Sequence, residues 1–325
     1  MSQDLNRRTF IKATAASAAI GLSFEEQALR AAENTPALSP TVKTGKKMST
    51  GKIGNVEISR LICGGNLISG YAHSRDLIYV SPLLKNYFTD DKIMDTWQIC
   101  EESGITTMNI NPSDLRAVKL FNRYWKERGG KMQWLAQIDA KPNDLETPVK
   151  LSIDHGAVGV YLVGNLGDRW VFDNRVDLID KLVRIIKNNG VIAGVAGHSL
   201  EMLVAVESAN LPIDFYMKTF HHTDYWSARR EDQTKQVIDN YAVDNYYDMT
   251  PRETMNFMKE VKKPWIAYKV LAAGAIKPQS GFDYAFGNGA DFVCVGMFDW
   301  QVAEDVALAE EAIAKNKNRV RPWMG

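Results

Sequence analysis

From Lys52 to Ala314 the hydrophobic pattern switches period repeatedly. Short, nearly continuous apolar runs alternate with longer stretches in which apolar residues return every third or fourth position. These are the periods of a buried strand and of an amphipathic helix. The runs fall at Leu61–Gly65, Ile105–Ile110, Trp134–Ile138, Val158–Val163, Val191–Ala196, Ile213–Phe220, Trp265–Leu271 and Asp291–Gly296. The helical stretches are Asp91–Ser103, Leu115–Arg128, Val149–His155, Val176–Asn188, Leu200–Ala209, Pro251–Val261, Phe282–Phe286 and Val302–Ala314. In the first of these, Ile93, Trp97 and Cys100 share one face. Asn111-Pro112-Ser113-Asp114 is a helix start signal, and Asn189-Gly190 is a stop. Ahead of them, Lys52-Ile53, the turn Gly54-Asn55 and Val56–Ser59 predict a small hairpin.

Apolar strands that alternate with helices require a parallel sheet covered on its faces. Eight such units predict an α/β fold, a closed (β/α)8 barrel with a short N-terminal hairpin, over residues 51–325. The alternative is an open doubly wound sheet, but no G-x-G-x-x-G follows the first strand. A long polar insertion, Thr223–Asp248, separates the sixth strand from its helix.

The first residues do not belong to this pattern. Met1–Lys12 is polar and basic, and Ala13–Phe24 is weakly apolar and rich in small residues. A charged segment before a short apolar one reads as an export signal. Arg7-Arg8, with Phe10, Ile11 and Lys12 behind it, resembles the twin-arginine motif, with Asn6 in place of its Ser or Thr. The expectation is a twin-arginine signal over residues 1–32, a tether over 33–50, the twin-arginine export machinery as a partner, and a periplasmic location.

Composition narrows the function. The 325 residues carry 39 Lys+Arg against 39 Asp+Glu, so nucleic acid or an anionic membrane would find no basic surface to bind. No run is long and apolar enough to span a bilayer permanently. Three widely spaced cysteines, Cys63, Cys100 and Cys294, exclude a disulfide framework and a Cys-rich zinc site. What remains is a globular enzyme or binding protein for a small molecule.

Several segments, in order, resemble the aldo/keto reductases: VEISRLICGG at the first strand, GVAGHSLEMLVAVESANLPIDFYM across the fifth and sixth, and IAYKVLAAG at the seventh. The resemblance covers Lys52–Ala314 and implies the barrel, a nicotinamide cofactor and an Asp-Tyr-Lys-His tetrad in which Tyr is the general acid. The tetrad positions read otherwise here. Asn109 stands at the Asp, Asp114 at the Tyr, Gln137-Ile138 at the Lys and Gly164 at the His. The residues implied to hold nicotinamide are Ala196-Gly197 and Met217, and GMFDWQVAED after the eighth strand lacks the Lys and Arg that would grip a 2′-phosphate. Tyr268 matches the tyrosine that stacks on nicotinamide. An NAD(P) site is thus expected to be weakened, and Tyr268 is its one surviving contact.

In such barrels chemistry sits where strands end. Those ends carry Asn66, His73, Arg75, Asn109, Asp139, Asn165, His198, Lys218, His221, His222 and Lys269. Four of the five histidines lie there, where general bases and metal ligands belong. Lys269, His198, His222 and Asp139 are the candidate catalytic residues, and Asn66, His73, Arg75, Asn109 and Asn165 the candidate substrate contacts. Each has a plainer reading too. His73, Arg75 and Asp76 could brace a loop, and His198 could satisfy a backbone carbonyl. Lys269 could pair with Asp139, or be poised by burial for proton abstraction or a Schiff base. Tyr225-Trp226 and Tyr246-Tyr247 could stack on a sugar or hold the insertion down. The expected function is an exported, oxidoreductase-like barrel enzyme for a small polar, sugar-like molecule. The alternatives are a metal-assisted lyase or isomerase with a divalent metal on Asp139, His198 and His221, and a non-catalytic binding protein.

Overall fold

The computed structural model describes residues 47–71, 77–228 and 247–325. The signal and most of the tether, His73, Arg75, Asp76 and Tyr246 lie outside the described residues.

Two strands, β1 (Thr50–Ile53) and β2 (Val56–Ser59), form the expected antiparallel hairpin. The eight strands that follow are β3 (Leu61–Cys63), β4 (Thr107–Ile110), β5 (Gln133–Ile138), β6 (Gly159–Leu162), β7 (Ile192–Gly197), β8 (Phe215–Thr219), β9 (Trp265–Tyr268) and β10 (Phe292–Val295). They are parallel and close into a barrel, with β10 pairing β3 at one side and β9 at the other. The fold is a (β/α)8 barrel.

The helices are α1 (Val80–Tyr87), α2 (Asp90–Glu102), α3 (Leu115–Arg128), α4 (Glu146–Asp154), α5 (Gly164–Phe172), α6 (Val176–Asn188), α7 (Leu200–Ser208), α8 (Pro251–Met258), α9 (Pro278–Gly287) and α10 (Val302–Lys315). The sequence pattern missed α1 and α5. Among the described residues, no helix is long and apolar enough to cross a membrane.

Strand alternation builds two cores. Ile62, Leu135, Tyr161, Phe215, Met217, Ile266 and Phe292 face inward and meet Ile53 and Ile58 of the hairpin, which plugs the N-terminal end of the barrel. The opposite strand faces, with Trp134, Val160, Tyr216 and Trp265 among them, pack against the helices. Met48 already belongs to this outer core, so packing begins within the stretch expected to be tether.

The chain end is clamped to the same N-terminal side. Asp291, just before β10, accepts from Arg319 Nη2 and Arg321 Nη1 at 2.6 Å each, from Trp265 N at 3.0 Å and from Met324 N at 2.9 Å.

Candidate active site

The best-built feature of the mouth is a pair that the sequence half concealed. His198 follows β7, is 4% exposed, and places Nδ1 2.8 Å from Asp168 Oδ2. Asp168 sits on α5 and is itself buried. Its carboxylate also accepts from His198 N at 3.0 and 2.9 Å and from Ser199 N at 3.0 Å. It thereby supplies the anion at the start of α7, whose N-cap Ser199 makes no side-chain cap of its own. A carboxylate only accepts, so His198 must donate from Nδ1, which leaves the lone pair of the neutral ring on Nε2. Burial pulls the His198 pKa below its usual value and outweighs the pull of Asp168, so the ring is neutral at pH 7.

Glycines set this pair. A Cβ on Gly167 would collide with the Ala196 carbonyl of β7, so only glycine lets α5 approach closely enough for Asp168 to reach His198. A Cβ on Gly164, the position of the tetrad histidine in the resemblance, would run into the Tyr268 hydroxyl and come within 2.8 Å of His198 Cε1. In this chain Tyr268 and His198 crowd that place.

Tyr268 and Lys269 arrive from the end of β9. The Tyr268 ring lies 5.5 Å from that of His198, centroid to centroid. Its hydroxyl is enclosed and interacts with the neighbouring Thr219 hydroxyl of β8. Burial, with Asp168 adding to it, holds the phenol well above its ordinary pKa, so it remains a donor. Lys269 places Nζ 5.8 Å from the Tyr268 ring centroid. The residue is half-buried, but its amine is enclosed enough for burial to lower its pKa to about 7, against the opposing pull of Asp168.

The other half of the mouth is quieter. Asn109 donates through Nδ2 to the Tyr161 hydroxyl, which donates on to Gln137 Oε1 at 3.0 Å. This relay links β4, β6 and β5 across the barrel interior and forms a polar floor. Asp139 is exposed beyond β5 and takes a 2.6 Å bond from Asn111 Nδ2. Asn165 is half-buried in the first turn of α5, and Asn66 opens the turn after β3. His222 is held against α9, with Nε2 2.9 Å from Ser280 Oγ and Nδ1 accepting from Asp224 N at 3.2 Å. His221 is buried with Nδ1 2.8 Å from the His222 carbonyl. Lys218, fully buried, donates to Thr219 O at 2.7 Å and lies 3.4 Å from Asp248.

The structure therefore brings His198, Tyr268 and Lys269 together and adds Asp168, Thr219 and Tyr161. Asp139 and His222 are engaged elsewhere. Among the described residues no group of three or more His, Cys, Asp or Glu side chains could hold a metal ion, so Asp139, His198 and His221 do not assemble a divalent site. A phosphate-bearing nicotinamide cofactor fits poorly as well. After β10 the chain presents Asp299, bonded to Lys92 Nζ at 2.9 Å, inside a stack of Phe88, Phe298 and Trp300. The first turn of α10 adds Glu304 and a buried Asp305 whose pKa burial raises to about 7, and residues 296–305 offer no Lys or Arg to grip a phosphate.

No family model matches the chain, and no curated protein sequence matches it. Solved structures do. One, described as "Putative aldo-keto reductase from Pseudomona aeruginosa", superposes with a TM-score of 0.56 at 14% identity, covering 83% of this chain and 98% of its own. A second with that description and source gives 0.54 at 15% identity, covering 81% and 95%. A sialic acid synthetase from Leptospira borgpetersenii gives 0.44 at 10%, covering 84% and 91%. The first two likenesses agree with the (β/α)8 barrel fold seen here.

Proposed function

We propose that this chain is an enzyme for a small polar organic molecule, built on an aldo-keto-reductase-like barrel, and that it works by proton transfer at the mouth rather than by hydride transfer. The observation that carries this reading is the enclosed group formed by the Asp168–His198 pair, Tyr268 and Lys269. Burying ionisable side chains costs desolvation, and a barrel gains its stability from its apolar interior, not from such a group. A neutral imidazole with a free lone pair and an amine of pKa about 7 are both matched to proton transfer near neutral pH. Tyr268, still protonated, supplies a hydrogen-bond donor for a developing oxyanion. The tetrad positions implied by the resemblance read Asn109, Asp114, Gln137-Ile138 and Gly164, and this supports a reaction other than carbonyl reduction.

The test is a pair of variants. His198→Ala and Lys269→Met should each abolish binding or turnover of small sugars and hydroxy-carbonyl compounds while the protein still melts cooperatively near the wild-type temperature. A fall in Tm of more than about 10 °C would make these residues structural and defeat the reading.

The proposed setting is outside the cytoplasm. It is supported by Arg7-Arg8 and the apolar segment behind them. Arg7→Lys together with Arg8→Lys should hold the folded precursor in the cytoplasm on fractionation, and normal export of that double variant would count against a twin-arginine route.

A further inference from the structure

We infer that Lys269 forms an imine with the carbonyl group of a short, uncharged hydroxy-aldehyde or hydroxy-ketone, with His198 and Tyr268 managing the protons. The inference rests on the acid–base reading of the mouth and adds to it a covalent step and a substrate class.

The backbone supplies the first reason. Strand alternation would send Lys269 to the face opposite Tyr268. Instead β9 stops at Tyr268, and Lys269 adopts φ +57°, a left-handed conformation that a residue with a Cβ enters only under constraint. The turn leaves its amine beside the Tyr268 ring and within the influence of Asp168. A second reason is independent of the lysine. The Tyr268 hydroxyl is enclosed beside His198 and interacts with the Thr219 hydroxyl of β8, so a phenol donor is already positioned next to the amine. The enclosed amine, its pKa about 7, also supplies the neutral nucleophile at pH 7.

The step balances without any further reagent. The Nζ lone pair attacks the carbonyl carbon and forms the C–N bond. The carbonyl π pair becomes an oxyanion held by the Tyr268 hydroxyl. His198 Nε2 takes a proton from the new ammonium and passes it to that oxygen, giving a carbinolamine. The second Nζ proton then leaves with the hydroxyl as the C–O bond breaks, the nitrogen lone pair closes the C=N bond, and water departs. Both amine hydrogens end in the water, and nothing is oxidised or reduced.

The substrate class follows from charge. Asp168 and Asp248 both act on Tyr268, and Lys269 and Lys218, the latter 3.4 Å from Asp248, offset them, so these four residues leave no surplus cation to hold an anionic carbonyl compound. Hydroxyl groups suit the Tyr268 and Thr219 hydroxyls, which both donate and accept.

The experiment is reductive trapping on the full chain. Glycolaldehyde with cyanoborohydride at pH 7, followed by peptide mapping, should label Lys269 at least about tenfold faster than exposed Lys150, because an ordinary lysine is almost wholly protonated there. Pyruvate, the anionic comparator, should label Lys269 more slowly than glycolaldehyde. His198→Gln should slow labelling of Lys269 and leave Lys150 unchanged. Labelling of Lys269 no faster than of Lys150, or unaffected by His198→Gln, overturns the proposal. If Lys269→Met abolishes turnover but wild type gives no adduct, the imine fails and the acid–base reading stands. If adduct is absent and Lys269→Met keeps turnover, both fall.

Discussion

At the scale of single residues, Lys269 carries a conflict between stability and chemistry that can be measured. Its pKa in the fold is about 7, against about 10.4 for a solvated lysine. Below pH 7 the amine is protonated both folded and unfolded, and the fold bears the whole cost of enclosing the charge. Between pH 7 and about 10 the unfolded chain binds a proton that the folded one does not, so the folded state gains stability as pH rises. Lys269→Met removes this dependence. It should therefore stabilise the protein by about 1–2 kcal/mol below pH 7, with the gain fading toward pH 10. Urea unfolding of both proteins across that range checks this, and a gain that grows with pH would show the sign to be wrong. His198 was legible in the sequence because it follows an apolar run, and Lys269 because it is a charge inside one. What the sequence could not show was the left-handed turn at Lys269, since Tyr-Lys-Val carries no glycine or asparagine to announce it.

At the scale of elements, α5 is the piece on which the site depends. Its segment, Gly-Asn-Leu-Gly-Asp-Arg-Trp-Val-Phe, reads poorly as helix because two glycines interrupt it. Those glycines are used for approach: Gly167 lies against the Ala196 carbonyl, and Asp168 then bonds the backbone that opens α7. Asp168→Ala would leave the buried N–H of His198 and the half-buried N–H of Ser199 without an acceptor. It should cost about 2–4 kcal/mol, read as a lower urea midpoint at unchanged slope. Asp177→Ala on the exposed face of α6 should leave the midpoint where it is. Equal effects of the two would show that Asp168 does not organise α7. The strands were legible because each is an apolar run of the right length between turn residues, and Leu115–Arg128 and Val176–Asn188 match α3 and α6 end to end. Asp168 was not, because a contact between an aspartate and a histidine thirty positions later has no local signature. The cue available was small residues at Gly164 and Gly167, one helical turn apart, just after a buried strand.

At the scale of the whole molecule, the barrel divides its work between its two ends. The N-terminal end is closed by Ile53 and Ile58 of the hairpin and by the final residues of the chain. There Trp323 lies between the guanidinium groups of Arg60 and Arg319, at 4.5 and 3.6 Å from its ring centroid, and Arg319 and Arg321 converge on Asp291 with almost no exposure. Two cations around one carboxylate are tolerable in the interior only while all partners remain. Burial already lowers the Arg319 pKa to about 10, with Asp291 pulling it back up. Asp291→Ala removes the shared anion and leaves two guanidinium groups enclosed and the Trp265 and Met324 amides unmet. It should cost about 3–5 kcal/mol, a fall in Tm on the order of 10 °C for a chain of this size. Well below that lowered midpoint, Lys269 of the variant should still take up glycolaldehyde at the wild-type rate, because the clamp and the mouth lie at opposite ends of the strands. Calorimetry beside trapping separates the two. A lost clamp that also silences Lys269 in fully folded protein would mean that the two ends are coupled through the barrel, and that the site depends on more than the residues at its mouth.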